Sequence, residues 1–122
     1  MKKKIIIIDD EKYYRDGLMD FLSPYAEVLT FKHPDEFGEK YQTPASLRGV
    51  SLVVLDYCFD TFDALDKDLV AYIRLDLSFK KHLVLWSLED HIPCDYRDFF
   101  DAVLPKQLMT LPEIERCIES SK

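Results

Sequence analysis

Cysteine, glycine and tryptophan are scarce in this chain of 122 residues, which has three Cys, three Gly and one Trp. The cysteines, Cys58, Cys94 and Cys117, make no Cys-x-x-Cys pair and no spacing suited to a metal cluster. That excludes a disulfide scaffold and fits free thiols in a reducing compartment. With three Gly and six Pro, no stretch has the composition of a long flexible linker. The N-terminal apolar run Ile5–Ile8 is four residues long, against the roughly 20 that a bilayer span needs. Nothing near it has the shape of a secretory leader, so a cytoplasmic address without membrane partners is expected. An excess of basic charge is also missing: 23 acidic residues against 16 basic ones give a formal charge of −7. No Lys or Arg block follows a helix face, so direct nucleic-acid binding is not expected. Lys2-Lys3-Lys4 reads as solvated residues ahead of the first strand.

What the chain does have is apolar residues in abundance, 48% of the sequence, with eight Phe and seven Tyr. That composition suits one globular domain over 1–122. Ile5–Ile8 is an uninterrupted β-branched run, the pattern of a strand buried on both faces, and it stops at Asp9-Asp10-Glu11. Tyr14, Leu18, Phe21 and Leu22 follow at helical spacing, with Pro24 as a stop. Ala26–Phe31 reads as a short strand, Pro34–Tyr41 as a helix, and Gln42–Gly49 as loop. Val50–Leu55 is the second strongly apolar strand and runs into Asp56. Leu65, Leu69, Tyr72 and Ile73 mark a helical stripe, Leu83–Trp86 a strand ending at Ser87, and Ala102–Leu104 a last strand ending in Pro105-Lys106. Thr110 and Glu113 have capping-box spacing before the stripe Leu111, Ile114, Cys117 and Ile118. Strands alternating with helices imply right-handed crossovers and a mostly parallel sheet of five strands, covered by helices on both faces.

Ligand sites in open α/β sheets lie beyond the carboxyl ends of the strands, where the strand order switches. Four strand ends here carry polar residues: Asp9-Asp10 after the first strand, Asp56 after the third, Ser87 at the fourth and Lys106 after the fifth. The fold would gather them at one rim. Clustered carboxylates suit a hard divalent cation, Mg2+ or Mn2+, and the backbone carbonyl of Cys58 is placed to add an oxygen. Asp56 is the candidate nucleophile, since a carboxylate can carry a phosphoryl group. Lys106 would pair with it, and Ser87 would donate a hydrogen bond to a phosphoryl oxygen.

In this order of residues the sequence resembles the receiver domains of two-component response regulators, over nearly the whole chain. The resemblance implies a doubly wound, flavodoxin-like α/β fold and a phosphorylation-dependent switch. It implies that Asp56 is the phosphoacceptor, Lys106 the base and Ser87 the switch hydroxyl. Asp10 would be a direct metal ligand and Asp9 would act through water. The implied partners are a histidine kinase or histidine phosphotransfer protein and a downstream protein target, with a second copy of the chain kept open. Chemistry beyond self-phosphorylation and autodephosphorylation is not expected, and whether that makes the chain an enzyme is left open. With 16 residues after Lys106 (107–122), a receiver without its own output domain is expected.

The sequence departs from the family pattern in five places. Val103 stands where an aromatic is usual, Gln107 replaces the proline after the lysine, and Leu88 replaces a small residue after the hydroxyl. The Ser87–Lys106 segment is short, and the loop Phe59–Ala64 has no Gly. These departures keep a second reading in view, a receiver-like interaction module that works independently of phosphorylation. The mixed segment Tyr96–Phe100 is its candidate binding face. His33, His82 and His91 read as structural or surface residues, and Trp86 as core.

Overall fold

The computed structural model of the chain describes residues 3–9, 11–55, 71–87 and 100–105, together with 112, 114 and 116. The elements run β1 (Lys3–Ile8), α1 (Lys12–Leu22), β2 (Ala26–Phe31), α2 (Pro34–Lys40), β3 (Val50–Leu55), β4 (His82–Ser87) and β5 (Ala102–Pro105). The five strands form one parallel sheet in the order β2-β1-β3-β4-β5, the doubly wound α/β arrangement that the alternating pattern implies.

Strand alternation sorts the core into two layers. In β1, Ile5 and Ile7 face one side and Ile6 and Ile8 the other, and none of the four is exposed. The first layer joins Ile5, Ile7, Leu52, Val54, Val84 and Trp86 to Leu18 and Leu22 of α1 and to Ile114. The second joins Ile6, Ile8, Val53, Leu55, Leu83 and Leu85 to Phe37 of α2 and to Tyr72 and Ile73. Helices therefore cover both faces. The topology dictates this: the crossover from β1 to β2 runs outward, and the crossover from β2 to β3 returns past β1. Right-handed connections of opposite direction fall on opposite faces. Each fully buried Ile or Leu contributes about 1.5–3 kcal/mol relative to an exposed one.

Several elements differ from the sequence reading. Lys3 and Lys4 are the first two residues of β1, not a solvated lead, because they pair with Ala26 and Glu27. Pairing with β2 extends the strand past its apolar run. Pro44–Leu47 forms a turn of 3₁₀ helix inside the expected loop and buries Leu47. Gly49 leads into β3 with φ +86°, a backbone conformation that disfavours any side chain although no atom would crowd a Cβ there. Tyr72–Asp76 is a wide, π-type turn, with Leu77 N–H donating to Tyr72 O at 2.9 Å.

At the N-terminal ends of β4 and β5 sits a polar clamp. Arg74 Nη1 donates to Phe79 O (2.9 Å) and Lys81 O (2.8 Å), and its Nη2 pairs with Asp101 Oδ2 at 2.9 Å. The same Asp101 oxygen accepts from Leu83 N–H at 2.7 Å, while Asp101 N–H donates to Leu83 O at 2.8 Å. Phe100, the last residue of the candidate binding face, is half-buried and packs against the second core layer. Tyr96–Phe99 lie outside the described residues.

Candidate functional site

All five strands are parallel, so their carboxyl ends lie along one rim, and the order places the switch point between β1 and β3. The last rung there pairs Ile8 with Leu55. The next residues in sequence are Asp9 and Asp56. On the other side of β3, Leu55 pairs with Leu85, and Ser87 pairs with Pro105, the residue before Lys106.

Asp9 is where the sequence reading expects a site carboxylate, and it is 2% exposed, the one buried charged or polar side chain among the described residues. A buried carboxylate costs free energy unless polar partners or a cation compensate it. Three elements fix residue 9. Its N–H donates to Phe31 O at the end of β2 (3.0 Å), continuing the ladder one step past the strand. Its Oδ1 accepts from Glu11 N–H at 2.9 Å, an Asx-type turn that redirects the chain into α1. Its carbonyl accepts from Arg15 Nη1 at 2.8 Å.

Arg15 is the site neighbour that the sequence reading missed. The signal was available: side chains on a helix lean toward its N-terminus. A long basic residue in the first turn of α1 can therefore reach back to the preceding strand end.

The remaining expected site residues are placed less completely. Ser87 closes β4 as expected, and its backbone position at the rim is set by pairing with Pro105; its side chain lies outside the described set, as does that of Val103. Asp10, Asp56, Cys58 and Lys106 lie outside the described residues altogether. Among the described residues no group of three His, Cys, Asp or Glu side chains is placed to hold a metal ion. The Asp9 carboxylate, which accepts from Glu11 N–H, is a hard oxygen donor of the kind that Mg2+ takes.

Other residues singled out in the sequence have structural roles. His33 caps α2, its Nδ1 accepting from Asp35 N–H at 3.1 Å. Trp86 is buried, as expected, one residue before Ser87, and Tyr14 of α1 meets it edge-on at 5.7 Å. Phe31, Phe37, Tyr41 and Tyr72 form an aromatic cluster where α2 covers the edge of the sheet. Burial raises the pKa of the Tyr41 phenol above its usual 10.0, and the nearby charge of Glu27 adds to the rise.

The chain has the fold of response regulator receiver domains. A CheY-like receiver domain from Methylobacillus flagellatus superposes with a TM-score of 0.78 over 100% of both chains, at 16% identity. The response regulator TrrA of Thermotoga maritima, solved in complex with Mg2+ and BeF, gives 0.77 over 98% of this chain and 99% of that one, at 20% identity. A receiver domain protein from Clostridium thermocellum gives 0.76 over 98% and 93%, at 17% identity. At these identities the likeness is one of fold. No family model matches the chain, and no curated protein matches it. Among the described residues no helix is long and apolar enough to cross a membrane.

Proposed function

We propose that the chain is a cytoplasmic signalling switch that accepts a phosphoryl group on Asp56 and changes its protein–protein binding in response. The donor would be a histidine kinase or a histidine phosphotransfer protein. The observation that carries this reading is the buried, three-way anchored Asp9 at the β1/β3 switch point, one rung beyond the Ile8–Leu55 pair. That pair leads directly into Asp56. The receiver fold and the Mg2+ in the TrrA complex support the same reading.

In the proposed chemistry an Asp56 carboxylate oxygen forms a bond to phosphorus as the donor's P–N bond breaks. The electron pair leaves on the imidazole nitrogen of the donor. In the reverse direction of signalling, water attacks the phosphorus and the acyl O–P bond breaks, restoring the carboxylate and releasing inorganic phosphate. Asp10, Asp56 and the Cys58 carbonyl would hold Mg2+ or Mn2+, with Asp9 acting through water. Such an ion, when bound, offsets negative charge on the transferring phosphoryl oxygens. Lys106 would pair first with Asp56 and then with the phosphoryl group, and Ser87 would donate its hydroxyl to a phosphoryl oxygen.

The test is intact mass after incubation with Mg2+ and acetyl phosphate, for the native chain and for Asp56→Asn. One phosphoryl adduct on the native chain alone is expected. A folded native chain that takes no adduct from acetyl phosphate or from a phosphorylated histidine phosphotransfer protein would sink the proposal. The second reading, an interaction module indifferent to phosphorylation, draws on Val103 and on the short Ser87–Lys106 segment. Equal partner affinity for free and phosphorylated protein would favour it.

A further inference from the structure

We infer that Arg15 is a positioning residue for the cation site, acting through the turn that carries the acidic pair; this rests on the reading just proposed. Three hydrogen bonds bracket position 10 of the chain. Arg15 Nη1 donates to Asp9 O at 2.8 Å, Glu11 N–H donates to Asp9 Oδ1 at 2.9 Å, and Arg15 N–H donates to Glu11 O at 3.0 Å. Arg15 therefore holds the turn from both ends, its side chain on residue 9 and its backbone on residue 11.

The side-chain bond is the informative one. The Asp9 carbonyl belongs to the rigid peptide plane that joins Asp9 to Asp10 in sequence. A guanidinium on that oxygen resists rotation of the Asp9 carbonyl, and with it of the peptide bond that leads into the second residue of the acidic pair. The bond is half-buried, where water competes weakly for the carbonyl. Asp9 is already held on its N–H side by Phe31 O, which leaves the carbonyl side to Arg15. Helix α1 does not need this bond for its own start, because Arg15 N–H to Glu11 O already closes its first turn. Partners that orient metal ligands from outside the coordination shell typically change metal affinity by about 10–100-fold when removed.

The test is calorimetric titration of the full chain with Mg2+, comparing native protein, Arg15→Met, Arg15→Lys and Lys12→Ala, with thermal midpoints measured without metal. Arg15→Met keeps the apolar stem and removes the donor. It is expected to weaken Mg2+ binding by about tenfold. Arg15→Lys keeps a charged donor and recovers most of the affinity. Lys12→Ala, an exposed position on the same helix, leaves it unchanged. A purely structural role would lower the midpoint and leave the dissociation constant within twofold of native, which overturns the inference. Should Arg15→Met fail to fold, native-like Mg2+ affinity and cation selectivity in an Arg15→Gln variant, too short to span to the carbonyl, would overturn it instead. Native protein that binds no Mg2+ overturns the underlying reading as well, so the two failures are told apart by the native titration.

Discussion

Ile8 and Leu55 are register partners on the last rung between β1 and β3, at the point where the strand order switches direction. Asp9 and Asp56 follow them in sequence. One residue beyond that rung the chain stops being apolar on both strands, so two carboxylate residues follow a hydrophobic pair that is itself fully packed. Asp9 is anchored there by β2, by its own turn and by α1.

Asp9→Asn should preserve the fold, because the amide oxygen can still accept from Glu11 N–H. Removing the charge should slow Mg2+-dependent phosphorylation by acetyl phosphate by about tenfold or more. Single-turnover rates at fixed Mg2+, beside a urea melt of the same variant, check both halves. An unchanged rate would mean that the buried carboxylate is structural only.

The Arg74–Asp101 clamp should couple strongly. Asp101→Ala removes the side-chain acceptor of the Leu83 N–H and of Arg74 Nη2, while Arg74 Nη1 keeps Phe79 O and Lys81 O. A cost of about 1–3 kcal/mol is expected, mostly from the Leu83 N–H that loses its carboxylate acceptor. A double-mutant cycle with Arg74→Met should return a clear interaction energy. The exposed Lys12–Asp16 pair, by contrast, should contribute under about 1 kcal/mol.

Phe37→Ala removes a fully buried ring that meets Phe31, Tyr41 and Tyr72. The expected loss is about 3–5 kcal/mol, read from denaturant unfolding with an unchanged m-value. A loss below about 1 kcal/mol would contradict the described packing of α2 on the sheet.

Tyr41 gives a pH dependence of known sign. Its phenol has a raised pKa in the folded chain, so the unfolded chain loses that proton first as pH rises. The contribution is fully present below the unfolded value near 10 and is lost as pH climbs through the folded one. Tyr41→Phe should therefore flatten the fall in urea midpoint above pH 10. Parallel curves for native protein and variant would contradict this.

Much of the fold was legible because burial and periodicity agreed. Ala26–Phe31 and Val50–Leu55 have the bounds that their apolar residues mark, and Trp86 is core as its aliphatic strand suggests. Lys3 and Lys4 were illegible as strand because backbone pairing with β2, rather than side-chain burial, makes them so. The wide turn at Tyr72–Asp76 also leaves no periodic trace; it is held by Phe79 N–H donating to Ile73 O and by Arg74 donating to Phe79 O, contacts that spacing does not announce. At the site, the strand ends announce Asp9 and Ser87 through abrupt loss of apolarity. Arg15 was legible only in part: its place in the first turn of α1 lets it reach back to the strand end, but that it bonds the Asp9 carbonyl there depends on packing geometry that spacing does not reveal.

The most direct test of the central claim is to trap the acyl phosphate and locate it. The native chain would be phosphorylated with acetyl phosphate and Mg2+, reduced with borohydride, digested and sequenced by tandem mass spectrometry. Reduction of an aspartyl phosphate leaves homoserine, and the account predicts homoserine at position 56 and at no other aspartate. Homoserine at Asp9 or Asp10 instead, or none in a chain shown to be folded, would contradict it.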